Sequence, residues 1–173
     1  MRHWALSAAT GAAISISSPG SASPEQGLIS GSYILDEERS DHVLQALNSA
    51  IDGMSPSITL PSFARRLRKA AAPAYAIRIS IAAGRFSIMR DAHPPITVWI
   101  GGEPIELMLE GQQVFDVSAR ANGDAISLTF RAANSERTIV YRSVGQQVVT
   151  ETVITSPLLS APIRYRVVYN RAS

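Results

Sequence analysis

Three histidines and no cysteine set narrow limits on the chemistry this chain could perform. Without thiols there is no thiolate nucleophile, no disulfide and no sulfur ligand for a metal. His3, His42 and His93 are too scattered to build an imidazole site, and His93, beside Pro94 and Pro95, has the setting of a turn residue. Ser40-Asp41-His42 holds the residue types of a nucleophilic triad. Triad members converge from separate elements, however, so these neighbours are expected to cap a helix instead. Glu151, between Val149 and Val153, is a lone carboxylate of the kind proton transfer needs, expected to lie outside or hydrogen-bonded in a wall. The nucleophile-elbow, zinc-helix, phosphate-loop and dinucleotide glycine motifs are all missing.

Aromatic residues late in the chain are stronger candidates for a site. Tyr141, Tyr165 and Tyr169 each pair an apolar ring with one hydroxyl, which suits a cavity wall that orients a ligand with a single polar end. Alternation puts Val167 and Tyr169 on the same side as Tyr165, and Arg164 and Arg166 on the other. Only one set points inward, and the apolar set is expected there, because a buried arginine needs a partner. Phe115 and Phe130, on earlier alternating runs, complete the residues expected to touch a ligand.

Residues so far apart converge only if the chain folds into a closed or stacked sheet. From Tyr75 onward the apolar period is two: Ile77, Ile79 and Ile81 alternate with Arg78 and Ser80, Phe86 and Ile88 flank Ser87, and Ile96, Val98 and Ile100 flank Thr97 and Trp99. The rhythm continues through Phe115–Ala119, Ile126–Phe130, Arg137–Ser143, Gln147–Thr155 and Ile163–Asn170, and turn residues such as Ala83-Gly84, Gly111-Gln112 and Asn122-Gly123 separate the runs. A first strand is expected at Ile29–Leu35. A helix with Val43, Leu44, Leu47, Ala50 and Ile51 on one face follows, capped by Asp36 or Ser40 with acidic residues in its first turn. After the turn Met54-Ser55-Pro56, a second helix runs from Leu60 to Ala72, with Arg65, Arg66, Arg68 and Lys69 beside its apolar stripe. These four form either an ordinary solvated face or a weak contact for an anionic membrane, each charge contributing on the order of 1 kcal/mol. The sum is a mainly β chain: an antiparallel up-and-down barrel of about ten strands that joins first strand to last, with a helix-turn-helix lid between strands one and two. A sandwich is the alternative. Thr150 and Thr152 fall on the inner side of their strand and suggest a lumen of mixed polarity.

With 173 residues, 46% of them hydrophobic, the chain suits one domain, and a net charge of +2 does not call for nucleic acid. Met1-Arg2-His3-Trp4, the mildly apolar Ala5–Ile16 and the small residues Gly20-Ser21-Ala22 have the pattern of a secretory leader. A leader at 1–22, a linker at 23–28 and a barrel at 29–173 are therefore expected, with a periplasmic or extracellular location. No apolar run is long enough to span a bilayer as a helix.

Gly31-Ser32-Tyr33-Ile34-Leu35 before a helix-turn-helix, the segment Glu136–Arg142 continuing to Val148-Val149-Thr150, and the ending Tyr169-Asn170-Arg171 resemble the calycin superfamily. The fatty-acid-binding proteins are the nearer likeness within it, ahead of the classical lipocalins. That resemblance implies a lipocalin-like barrel holding a fatty-acid carboxylate with two arginines and a tyrosine. Tyr169 matches the tyrosine, but Tyr141 and Val167 stand where the resemblance implies arginines, so a different or neutral amphiphile is expected. The family is cytosolic, whereas this chain carries the pattern of an exported one. Non-enzymatic binding or transport of a small hydrophobic ligand in the envelope is thus the expected function, without metal or cofactor. The alternatives are a filled barrel serving as a structural or protein-contact module and, behind it, a barrel enzyme.

Overall fold

The computed structural model describes residues 30–54, 60–109 and 113–172. The expected leader and linker, Ile29, Ser55-Pro56 and Gly111-Gln112 lie outside them. Ten strands and two helices follow in order: β1 (Gly31–Asp36), α1 (Val43–Asp52), α2 (Leu60–Ala71), β2 (Ala76–Ala82), β3 (Arg85–Arg90), β4 (Ile96–Trp99), β5 (Ile105–Leu109), β6 (Gln113–Asn122), β7 (Ala125–Ala132), β8 (Ser135–Val144), β9 (Gln147–Thr155) and β10 (Ile163–Arg171).

All ten strands belong to one antiparallel sheet in the order β4-β3-β2-β1-β10-β9-β8-β7-β6-β5. The first strand does join the last, Tyr33 facing Arg171 and Asp36 facing Val168. That joint, however, lies in the middle of the sheet and leaves β4 and β5 as its edges, so the expected closure by first and last strands is corrected to a nearly closed barrel. β4 meets β6 rather than β5 at the seam: the Gly101 N–H donates to the Ala119 carbonyl (2.8 Å), next to an isolated bridge from Ile100 to Ala119. Gly101 has φ +74°, a conformation glycine adopts without strain, and the neighbouring Gly102 leaves no room for a side chain because a Cβ would sit 2.6 Å from that of Trp99.

Period-two alternation fills the barrel as expected. Ile77, Ile79, Phe86, Ile88, Val98, Val117, Ala119, Leu128 and Val148 all reach one contiguous buried cluster. The helices close one end by contributing Val43, Leu47 and Ile51 from α1 and Ala64, Leu67 and Ala71 from α2 to that same cluster. Arg68 Nε ties the pair by donating to Asn48 Oδ1 (3.0 Å).

The start of α1 departs from expectation. Its cap is His42, which makes no capping side-chain hydrogen bond, and no acidic residue lies in its first turn. Ser40 and Asp41 extend the β10 ladder instead. The Val168 N–H donates to Ser40 Oγ (3.0 Å), and the hydroxyl in turn donates to the Asp36 carbonyl (2.6 Å). Asp41 N–H donates to the Arg166 carbonyl (2.9 Å), and Asp41 Oδ2 accepts the Arg166 N–H (2.7 Å). The backbone of β10 outruns β1, and its N–H groups must find partners; short polar side chains stand in for the missing strand.

Replacing Ser40 with Ala should therefore strand the Val168 N–H at a residue that is 0% exposed. A destabilisation of roughly 1–3 kcal/mol is expected, read as a lowered urea midpoint with an unchanged m-value.

Candidate functional site

α2 ends at Ala71, and Pro73 cannot continue it. A helix end exposes carbonyls without intrahelical partners and carries the negative pole of the helix dipole. Here the donors come from the barrel. Arg137 Nη1 donates to the Ala70 carbonyl, Tyr165 Oη to that of Ala71 (3.0 Å) and Arg90 Nη2 to that of Ala72 (2.7 Å). Three successive carbonyls of the lid are thus held by side chains from β8, β10 and β3.

Beneath this contact lies a small cavity of about 30 Å³. That is room for one or two water molecules. Its wall is polar on the β8–β10 side, where Tyr141, Thr150, Thr152, Tyr165 and Tyr169 reach it, and apolar at Ile77, Ile139 and Val167. Thr150 Oγ1 is occupied by the Val167 carbonyl (3.3 Å). The Tyr141 and Tyr169 hydroxyls have no partner among the described residues and open onto the cavity.

The electrostatics follow from burial. Burial pushes the Tyr141 phenol up to about 12, although Arg90 and Arg137 pull it down. Tyr169 and Tyr165 are raised by the same cause, Tyr165 against the pull of Arg137, a hydrogen bond from Thr152, and Arg90. Arg137 is lowered, first by burial and then by repulsion from Arg90. Neither guanidinium pairs with a carboxylate among the described residues. Asp91, next to Arg90 in the chain, accepts the Ala76 N–H instead (2.9 Å).

Of the residues expected to touch a ligand, the structure brings Tyr141, Tyr165, Val167 and Tyr169 together around the cavity. Phe115 and Phe130 meet edge to face (6.4 Å, 86°) in an adjacent part of the wall and do not line it. Phe130 nevertheless supports the site, since the Arg137 guanidinium lies over its ring at 4.4 Å. Arg164, Arg166 and Glu151 face outward, and Arg65, Arg66, Arg68 and Lys69 are exposed on α2. Arg90 and Arg137 were not among the expected residues. The signal was present, because Arg90 keeps the phase of Phe86 and Ile88, and Arg137 that of Ile139 and Tyr141.

No protein-family model matches the chain. No curated protein matches it in sequence. Solved structures do match in shape. The fatty-acid-binding protein of Manduca sexta superimposes with a TM-score of 0.54 over 83% of this chain and 98% of its own, at 14% identity. The fold is that of the fatty-acid-binding proteins. Human cRBP IV gives 0.56 over the same 83% and 98% of its own chain, at 15% identity. Secretory abundant heat soluble protein 4 of Ramazzottius varieornatus gives 0.53 over 83% and 94%, at 12% identity. The likeness therefore lies in the order and pairing of elements, a ten-stranded barrel with its helix-turn-helix after the first strand, and assigns no residue a role.

Tyr33, Tyr141, Tyr165 and Tyr169 all hold their protons more tightly in the fold than an exposed phenol does. The stability this contributes is complete below about pH 10, the unfolded tyrosine value, and declines as pH rises toward the folded values. For Tyr141 that window is about 10 to about 12. Thermal unfolding followed across that range should show a falling Tm, with tyrosinate absorbance appearing at unfolding, and Tyr141→Phe should flatten the fall.

Proposed function

We propose that this protein binds a small hydrophobic or amphipathic molecule inside its barrel, acting as a carrier and not as an enzyme, and that it does so after export to the periplasm or the cell exterior. A lumen meant only to be filled has no use for hydroxyls, since each polar group taken from water without a partner costs free energy. This one gathers three tyrosines and two threonines around a cavity, and leaves the Tyr141 and Tyr169 hydroxyls open to it. Such groups fix the polar end of a ligand whose remainder is apolar. Fold neighbours support the reading: one is named a fatty-acid-binding protein and another a secretory protein. The leader pattern at residues 1–22 supports export.

A cavity of about 30 Å³ is far below the few hundred Å³ of an ordinary ligand pocket, so binding requires the barrel to open. Room must come from displacement of α2 or from the β4–β5 gap, where no ladder has to break. The same small volume favours the second reading, a filled barrel that serves as a structural or protein-contact module of the envelope. On either reading the basic face of α2 is available for a transient anionic contact.

Native mass spectrometry of the protein purified from its own host, followed by denaturation, tests the two. A released small amphiphile is expected; the bare polypeptide mass, together with failure to take up any neutral or charged single-chain amphiphile afterwards, favours the filled barrel. Tyr169→Phe should weaken uptake by about threefold to tenfold, the worth of one hydrogen bond, without lowering Tm. Unchanged affinity removes that residue from the site.

A further inference from the structure

Arg90 and Arg137 are unusual cavity residues. They come from strands on opposite sides of the barrel, converge below α2, and neither has a carboxylate partner among the described residues. Two like charges in a partly desolvated site repel unless an acceptor with negative character sits between them. In this structure that acceptor is the end of the lid itself: the carbonyls of Ala70 and Ala72 accept from Arg137 and Arg90, and Ala71 accepts from Tyr165 between them. A helix C-terminus carries only about half an elementary charge, spread over several carbonyls. A carboxylate or phosphate carries at least a full charge on oxygens that match the guanidinium fork.

We infer that Arg90 and Arg137 form an anion site at the lid end of the barrel, occupied in the closed state by the last carbonyls of α2, and that the anionic head of an amphiphile takes their place and releases the lid. The inference rests on the carrier reading and deepens it, naming the ligand as an anionic single-chain amphiphile with its head toward α2. The site is distinct from the clamp that the family resemblance implies, where this chain has Tyr141 and Val167. Phe130 holds Arg137 in place through its ring, and Tyr141 and Tyr169 open onto the same cavity and supply further donors to an anion. The exchange gives the lid a reason to move: the incoming head satisfies both guanidiniums, and the helix end, no longer needed, turns its carbonyls to water.

The test uses the full chain, stripped of bound lipid, and four probes: dodecanoate, dodecyl phosphate, dodecanol and inorganic phosphate. Calorimetry gives affinities, and amide hydrogen exchange at Ala70, Ala71 and Ala72 reports the lid. The two anionic amphiphiles are expected to bind at least about tenfold tighter than dodecanol, and to speed exchange in the last turn of α2 where dodecanol does not. Arg137→Gln and Arg90→Gln should each erode that preference and together abolish it. Arg137→Lys should restore part of it. Arg164→Gln, on the outer face, should change neither quantity. Equal affinity for dodecanoate and dodecanol, or an anion preference that survives in the double variant, overturns the anion site while leaving the carrier reading intact. Inorganic phosphate binding as tightly as dodecyl phosphate overturns the amphiphile as its ligand. Failure of all three amphiphiles to bind overturns the carrier reading, and this inference with it.

Discussion

A helix that ends inside a barrel mouth must find hydrogen-bond donors for its last carbonyls, and in this protein the barrel wall provides them. Arg137, Tyr165 and Arg90 satisfy Ala70, Ala71 and Ala72 in turn. Of the three, Ala71 is buried, and its carbonyl without a donor would cost about 1–3 kcal/mol. Much else follows from this contact. It keeps α2 over the opening, it requires long cationic side chains at inward-phased positions of β3 and β8, and it draws Phe130 beneath Arg137 as a support. Remove the helix end, and two guanidiniums are left facing each other beside an apolar wall.

The second constraint is the sheet's own closure. Ten strands joined through β1 and β10 leave edges at β4 and β5, and an open edge invites pairing with other chains. The protein blunts it by leaning β4 on β6 at the Gly101–Ala119 contact, with β5 reduced to five residues beside the start of β6. A tight turn through Gly101 and Gly102 makes the approach possible, and Trp99 occupies the volume that any side chain at 102 would need. At the opposite joint, where β10 is longer than β1, Ser40 and Asp41 complete the ladder with side-chain oxygens. Both solutions answer the same requirement, that backbone groups buried at an interrupted ladder find partners.

Much of this was legible in the sequence, for reasons that can be named. Alternation of apolar residues is set by the pleat, and it placed β2 through β10 and turned Tyr165, Val167 and Tyr169 inward with Arg164 and Arg166 outward. The helices were legible from their apolar stripes, of which Val43, Leu47, Ile51 and Ala64, Leu67, Ala71 are buried while Leu44, expected on the same face, is exposed. What failed was reasoning from residue type alone. Ser40 and Asp41 are good caps by composition, yet their partners are on β10, more than a hundred residues away, where no local pattern points. Arg90 and Arg137 were not singled out at all, although their phase along β3 and β8 puts them at the cavity. Phase was the better guide, since the partners that make burial tolerable belong to a helix end that sequence spacing does not reveal.

The small cavity and the polar wall are two aspects of one closed state. Apolar residues alone could close this barrel, because Ile77, Ile139 and Val167 already surround much of the space. Tyrosines, threonines and arginines instead leave a lumen whose polar groups are only partly satisfied from within, Thr150 by a backbone carbonyl and Tyr165 by the lid, while Tyr141 and Tyr169 open onto the cavity. A packed apolar core has a single best arrangement and resists change. A wall of hydrogen bonds to a helix end has alternatives, because one set of acceptors can be exchanged for another at little net cost. The lid contact that stabilises this barrel is thus, on the inference drawn above, also the contact that an acceptor of greater negative charge would take from Arg90 and Arg137.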